Sequence, residues 1–149
     1  MIHREGVTAE TFAELIRELG PIAKSEAMQA CGNQPGKIWI ALQRCPELSA
    51  FRLDGKLLCV VGYHVDSLLS AEALVWVIAT EEMTHHAFLF IRHARIYLQH
   101  LAQRFDSIKC LIYGSQPKQH HWTRLLGFHL VRSRTDDGRK INEYKFGEP

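Results

Sequence analysis

Apolar and polar residues follow helical spacing at the start of the chain. From Thr8 to Leu19 the apolar positions recur every three or four residues, and Gly20-Pro21 ends this segment. The pattern predicts an amphipathic helix there and a second short helix over Ile22–Ala30. Residues 37–45 fit the face of a helix or, by propensity, a strand, and we favour the helix.

The middle of the chain changes to strand-type patterns. Asp54-Gly55 is a strong hairpin signal, and it joins Ser49–Leu53 to the apolar segment Leu57–Tyr63. Ala73–Ala79 is a continuous apolar run of strand length, which is typical of a central strand buried on both faces. We therefore expect an antiparallel hairpin followed by a core strand, with Trp76 buried.

The C-terminal half alternates helices with strands. The longest predicted helix runs from Thr84 to about Arg104, and its inward positions are Phe88, Ile91, Ala94, Leu98 and Leu101. The remaining predicted elements are a strand at Ser107–Tyr113, a helix from Pro117 to Leu126, and a closing hairpin of Phe128–Arg134 with Asn142–Phe146, in which Phe128 is a core residue. This order predicts an α/β fold.

Composition narrows the class of protein. The 149 residues form one domain, 1–149, by the usual size of domains, and the formal charge of +2 with no long basic run argues against specific nucleic-acid binding. The longest apolar run is too short to span a bilayer, which argues against a membrane partner. The four cysteines form no CxxC pair and no secretory signal precedes them, so we expect reduced thiols in a protein that is not secreted.

The histidines are candidate metal ligands, but their spacing does not support a metal site. His86, His93 and His100 form a heptad, and neighbours two helical turns apart are separated by about 10 Å. That distance is too long for one shared ion, so we expect no metal site and interpret the heptad as a polar stripe. For His120 and His121 a solvated position is favoured over one that lines a cleft.

The order of elements and the phrase His121-Trp122-Thr123-Arg124-Leu125-Leu126-Gly127-Phe128 resemble the acyl-CoA N-acyltransferase (GNAT) superfamily. The sequence is most similar to small GNAT-like proteins of tailed phages that are encoded near virion structural genes. The positions that carry this second resemblance are Ser49, Trp76, Thr80, Glu81, the basic helix Phe88–Leu101 and Trp122. The resemblance implies a mixed, mostly antiparallel sheet with helices on both faces. It also implies fourth and fifth strands that run parallel and splay apart.

The cofactor loop departs from that family's pattern. In active members an Arg or Gln and glycines follow the fourth strand, because bare backbone N–H groups at a helix N-terminus cradle the pyrophosphate. Here Glu82 stands at the Arg/Gln position and Met83 and His85 at the first two glycine positions, whereas Ala87 stands at the last one, where the family also allows alanine. We therefore expect acetyl-CoA to bind weakly or not at all.

Some cofactor contacts still follow from the resemblance. The backbone around Ile78 and Ala79, continuing to Thr80, is expected to pair with the pantetheine arm. An imidazolium of His85 or His86 is a candidate to replace the missing arginine in part, but a polar helix start with both rings in water is favoured.

The expected general acid is also missing. The family's tyrosine, four residues before the glycine of the Gly-Phe turn, is Thr123 here, and an upstream asparagine is Gln116. A threonine hydroxyl cannot hand over a proton as a phenol does. Glu81 remains the candidate for a general base acting through water, although it also suits the first turn of a helix.

These features favour a protein that has given up efficient acetyl transfer. The main hypothesis is a phage accessory or virion-associated binding protein with a degenerate acetyl-CoA site, located in the host cytoplasm or the virion, with a phage or host protein as its partner. The alternatives are an active N-acetyltransferase with an atypical cofactor loop, and a host-directed inhibitor. The segment Glu82-Met83-Thr84-His85 distinguishes the first two.

Overall fold

Seven strands form one sheet in a computed structural model that describes residues 1–21, 24–25, 36–67, 69, 71–114 and 117–149. The spatial order is β1-β2-β3-β4-β5-β7-β6. The strands are β1 (Ile2–Glu5), β2 (Glu47–Leu53), β3 (Lys56–His64), β4 (Glu72–Ala79), β5 (Ser107–Tyr113), β6 (Phe128–Asp136) and β7 (Arg139–Phe146). All adjacent pairs are antiparallel except β4 with β5. The predicted mixed, mostly antiparallel sheet is confirmed.

Four α-helices and one 3₁₀ helix accompany the strands in the described residues. They are α1 (Ala9–Arg17), α2 (Gly36–Gln43), the 3₁₀ helix Glu81–His85, α3 (Ala87–Ala102) and α4 (Pro117–Leu125). The helix favoured for residues 37–45 is confirmed, and most of the one predicted at Ile22–Ala30 lies outside the described residues. No α-helix in the described part of the chain is long and apolar enough to cross a membrane.

The hairpin between β2 and β3 forms at the predicted dipeptide. Asp54 has φ 51° and Gly55 has φ 84°, so both central residues adopt the left-handed conformation that a tight two-residue hairpin turn requires. Leu53 pairs with Lys56 directly beside the turn.

Helices cover both faces of the sheet, as expected. On one face Phe90, Ala94 and Leu98 of α3 pack against the central strands. On the other face Leu15 of α1 packs against Ala50, Leu57 and Val60. The two layers keep the central strand β3 buried along most of its length.

Two predicted burials are wrong. Phe88 is 81% exposed and Phe90 is 1% exposed. At 3.6 residues per turn, Phe88 lies about 120° around α3 from the buried Ala94, whereas Phe90 lies about 40° away. Trp76 is only partly buried, because its indole lines a cavity at the edge of the second core cluster. The predicted burial of Phe128 is confirmed.

A charged cluster fastens α1 to the sheet. The Arg52 guanidinium donates to both carboxylate oxygens of Glu14, at 2.9 and 2.7 Å, and also to Glu5. These hydrogen bonds from Arg52 are the main reason that the pKa of Glu14 is lowered. Only 18% of the Arg52 side chain is exposed, so solvent screens the bidentate pair incompletely.

Replacing Arg52 with leucine is expected to lower the free energy of unfolding at pH 7 by about 1–2 kcal/mol, because the partly buried Glu14 loses its partner. Since the pKa of Glu14 is depressed in the folded state, its contribution is present above the ordinary carboxyl range and is lost as the pH falls below it. Urea unfolding at pH 7 and pH 3 checks this, since the difference from wild type should shrink in acid. Arg92→Leu, at an exposed position of α3, is the control and should change little. A pH-independent Arg52→Leu effect would contradict the assignment.

Candidate functional site

The parallel strands β4 and β5 pair only at their beginnings. Glu72, Ala73 and Leu74 align with Ser107, Ile108 and Lys109, and no later residue of β4 pairs with β5. From Val75 onward the two strands diverge, and the predicted splay between parallel fourth and fifth strands is confirmed. The gap exposes backbone groups in the middle of an otherwise continuous sheet.

Alternation along β4 decides which backbone groups face the gap. The N–H of Thr80 donates to Leu58 O of β3 at 2.9 Å, and the N–H of Ser107 donates to Ala71 O at 3.2 Å. Backbone groups of successive residues point to opposite sides of a strand. Val77 and Ala79 therefore direct their N–H and C=O groups into the gap. Ile78 directs its backbone toward β3 and contributes only its side chain to the site.

A cavity of about 320 Å³ occupies the gap and the space beside it. Its walls come from α2, from β4 from Leu74 onward, from the end of β5, and from α3 and α4, with Phe51 and Val61 contributing from the hairpin. Apolar side chains form nearly the whole surface. Volumes and linings of this kind are typical of small-molecule sites.

The segment after β4 is a 3₁₀ helix rather than an open phosphate loop. The N–H of Met83 donates to Thr80 O at 3.3 Å, and the N–H of His86 donates to Met83 O at 3.0 Å. The Thr84 hydroxyl donates to Glu81 O at 2.7 Å. These two backbone N–H groups and the hydroxyl are therefore already used in hydrogen bonds within the turn. The long helix begins at Ala87, three residues later than predicted, because this turn interrupts it.

Met83 and Glu82 lie in different environments. Met83 is 6% exposed and its side chain lines the cavity, so it is a core residue instead of a residue at a phosphate surface. The Glu82 carboxylate lies 3.3 Å from His86 Nε2 and 3.7 Å from Lys56 Nζ. The carboxylate therefore contacts both the His86 ring and the Lys56 ammonium at this end of the site. The His85 side chain is exposed.

The start of α3 retains backbone donors. The first bond that closes the helix runs from Phe90 N–H to His86 O at 3.0 Å, so the N–H groups of Ala87, Phe88 and Leu89 precede it. No side chain caps this terminus. The local dipole is favourable for an anion, but the carboxylate beside His86 acts against one.

Thr80 and Glu81 serve the packing around the loop. Thr80 is 2% exposed, and its hydroxyl donates to the carbonyls of Leu57 and Leu58 at 2.7 and 3.0 Å, which ties the end of β4 to β3. The N–H of Glu81 donates to Glu18 O at 3.0 Å, while its side chain is exposed. Neither residue lines the cavity, so the structure separates Glu81 from it.

Two hydroxyl-bearing side chains, Thr123 at the acid position and Tyr113 of β5, line the cavity. Thr123 is 5% exposed and lines the cavity, and its hydroxyl donates to Gln119 O at 2.8 Å. Tyr113, at the end of β5, also lines the cavity. Sequence reasoning missed Tyr113, although its place at the end of a buried strand was the available signal. Gln116 lies outside the described residues.

The paired histidines of α4 differ from each other. His121 is exposed, as predicted, but His120 is partly buried and hydrogen-bonded. Burial raises the pKa of Tyr144, and its hydroxyl is hydrogen-bonded to His120 Nδ1. His120 Nε2 lies 3.3 Å from Gly114 O. This network holds α4 against β5 and β7. In the described ranges no three His, Cys, Asp or Glu side chains are grouped to hold a metal ion.

A second, polar cavity of about 180 Å³ adjoins the first, since Leu74 and Leu111 line both. Its buried acid is Glu143, 7% exposed, which lies 3.3 Å from Arg132 and 3.8 Å from Lys109. These residues come from different strands, and sequence reasoning missed them because no local pattern connects them.

Comparison with known proteins identifies the fold. No family model and no curated protein matches the sequence. Among solved structures, a Bacillus subtilis acetyltransferase in complex with CoA superposes with a TM-score of 0.69 at 12% identity, covering 99% of this chain and 98% of the other. A GNAT-family acetyltransferase from Streptococcus pneumoniae gives 0.67 at 11% identity, with 97% and 98% covered. The GNAT domain of S. lividans PAT gives 0.67 at 13% identity, with 97% and 90% covered. The chain therefore has the fold of the GNAT acetyltransferases.

Proposed function

We propose that this chain is a GNAT-fold binding protein with a degenerate acetyl-CoA site. In this proposal the cleft accepts a pantetheine-like arm, the phosphates of CoA are bound weakly, and acetyl transfer is inefficient. The observation that carries the proposal is the 3₁₀ helix Glu81–His85, with Met83 in the core and Glu82 paired to His86.

The described residues fit the two parts of acetyl-CoA unequally. Backbone groups of Val77 and Ala79 face an apolar gap, which suits an amide-bearing arm. A pyrophosphate at the start of α3 meets the Glu82 carboxylate, and like charges at 4 Å repel by about 4 kcal/mol at an effective dielectric of 20. Solvent screens much of this repulsion, but a quarter of it, about 1 kcal/mol, still costs about fivefold in affinity.

The acid position supports the same proposal. The Thr123 hydroxyl is already donated to Gln119 O, and its pKa range is unsuited to proton transfer near neutral pH. An active N-acetyltransferase is the second candidate, and the observation that favours it is Tyr113, a phenol in the cavity wall. In that case Tyr113 would protonate the leaving thiolate.

The biological setting is proposed from the sequence resemblance alone. We infer a phage accessory or virion-associated role, in the host cytoplasm or the particle, with a phage or host protein as partner. A host-directed inhibitor is the variant of this role in which the partner is a host protein.

Isothermal calorimetry with acetyl-CoA tests the degenerate site. The native chain is expected to bind with a Kd weaker than about 100 µM, or roughly −5.5 kcal/mol. Glu82→Arg combined with His85→Gly should tighten binding about tenfold or more, because it removes the carboxylate and opens the loop surface. Met83 is kept, since it is a core residue.

Glu81→Arg is the matched control. It makes the same charge change one residue away, on an exposed side chain that does not line the cavity. The control should leave the affinity within about threefold of the native value, because exposed charges are screened by solvent. Low-micromolar binding by the native chain would contradict the proposal and favour the active enzyme.

A further inference from the structure

Strand β6 forms one edge of the sheet, beyond β7. Every residue from Leu130 to Asp136 is exposed, and after the register shift between Leu130 and Arg132 the segment 132–136 pairs regularly with β7. The opposite edge, β1, has only four residues. Proteins often keep edge strands short, because unpaired backbone groups can accept another strand. The exposed edge of β6 is therefore a candidate docking surface.

Alternation between β7 and β6 decides which backbone groups point away from the sheet. The N–H of Gly114 donates to Lys140 O at 2.9 Å, so Lys140 of β7 directs its backbone toward β5. Thr135 is the partner of Lys140 on β6. Because the groups of Lys140 point away from β6, those of Thr135 point away from β7 and out of the sheet. Ser133, two residues earlier on the same strand, has the same orientation.

Two arginines flank these positions on one face of the strand. The Arg132 side chain is 62% exposed and lies 3.3 Å from Glu143. Arg134 is exposed and forms no ion pair among the described residues. A guanidinium carries five N–H donors, so Arg132 can bind a second acceptor. On the other face the Ser133 hydroxyl donates to Asn142 Oδ1 at 2.7 Å. One face of the exposed edge is therefore basic.

These charges distinguish between the strands that could pair with β6. Like charges directly opposite one another destabilise a pair of strands. If β6 of a second copy paired antiparallel about Arg132, Ser133 or Arg134, an arginine would lie opposite an arginine. Charged side chains on an edge are a common protection against pairing between copies. An acidic strand has the complementary charge, since its carboxylates would lie opposite the two guanidinium groups.

We propose that β6 binds an extended acidic segment of a partner protein as an additional, antiparallel strand of the sheet. The backbone of the segment pairs with Ser133 and Thr135, and acidic side chains at alternate positions bind Arg132 and Arg134. Threonine or valine between the acidic positions suits the uncharged face and favours an extended backbone. The inference concerns a surface outside the gap between β4 and β5, and it does not rest on the degenerate acetyl-CoA site.

Fluorescence anisotropy with labelled peptides tests the proposal on the full chain. The probe alternates glutamate with threonine, and two control peptides replace either every glutamate with lysine or every threonine with proline. The probe should bind at least about tenfold tighter than either control, because lysine reverses the charge and proline removes the N–H groups that pair. Equal binding of the glutamate–proline peptide would show charge attraction without strand pairing and overturns the inference. Equal binding of the lysine peptide also overturns it.

Variants of the edge locate the peptide. Thr135→Pro removes an N–H that points out of the sheet, so the pairing of β6 with β7 is kept and the probe should bind about fivefold more weakly. Thr135→Ala keeps this N–H and should bind within about twofold of the native chain. Arg134→Glu should weaken the probe by about fivefold or more and strengthen the lysine peptide, whereas Arg92→Glu, on the exposed face of α3, should change neither. If Thr135→Pro does not fold, Arg134→Glu decides, and an unchanged preference in that variant refutes the proposal.

Sedimentation equilibrium of the native chain tests the competing occupant, a second copy. We expect no dimer that depends on β6, because of the opposed arginines. A dimer that dissociates in Thr135→Pro but persists in Thr135→Ala would assign the edge to a second copy and overturn the proposal.

Discussion

Replacing Phe90 with alanine is expected to lower the free energy of unfolding by about 3–5 kcal/mol, the usual cost of removing a buried phenyl group. Phe90 is 1% exposed, and its ring meets Phe51 edge to face at 5.9 Å between centroids. The substitution removes this contact and enlarges the neighbouring cavity, so little relaxation offsets the loss. Denaturant unfolding followed by circular dichroism measures the change.

Phe88→Ala is the matched control, two residues earlier on the same helix. Its side chain is 81% exposed, so the same substitution should change the free energy of unfolding by less than about 0.5 kcal/mol. Comparable losses at both positions would show that α3 is rotated relative to the arrangement described here. The pair of variants therefore tests which face of α3 covers the sheet.

The face of α3 illustrates what the sequence alone decides. Helical spacing correctly selected Ile91, Ala94, Leu98 and Leu101, because these four lie on one stripe. Phe88 fits the i, i+3 spacing from Ile91, so periodicity alone does not exclude it. The 3₁₀ helix determines the residue at which α3 begins, and no sequence pattern predicts that turn.

Strands were predictable where the core or a turn specifies them. β3 and β4 are apolar runs and β2 is joined to β3 by Asp54-Gly55, so the pattern and the turn agree. The first strand, Ile2–Glu5, has two polar residues at its centre and was missed. Its backbone pairs with β2 at the edge of the sheet, and edge pairing needs little apolar side-chain burial.

The position of the cleft was predictable from the sequence, but the residues around it were not. The family resemblance placed a cofactor loop after β4 and a cleft between β4 and β5, and the structure has a cleft there. Alignment with the family's loop placed Met83 at a phosphate surface. Its apolar side chain is instead buried in the core, where burial stabilises the fold more. The polar cavity around Glu143 joins distant segments, which a single sequence does not connect.

Gly62→Ala is expected to lower the free energy of unfolding by about 1–3 kcal/mol, the usual cost of overpacking. Gly62 lies in β3 opposite Trp76, and a Cβ built on it falls 2.5 Å from Trp76 Cζ2 and 2.9 Å from Leu48 Cδ2. The indole therefore lies across the bare backbone of β3. In an ordinary strand alanine is preferred to glycine, so the sign of this effect is specific to the contact with Trp76.

A second substitution should relieve the clash. Trp76→Leu removes the ring atoms nearest Gly62, so the double variant Gly62→Ala/Trp76→Leu should be more stable than the sum of the single losses predicts, by about 0.5–3 kcal/mol. Gly6→Ala is the control, since nothing lies within 4 Å of a Cβ at that position and its effect should stay below about 0.5 kcal/mol. Additive losses in the cycle would contradict the contact. Coupling would instead show that Gly62 is needed for Trp76 to lie flat on β3, where it forms part of the cavity wall.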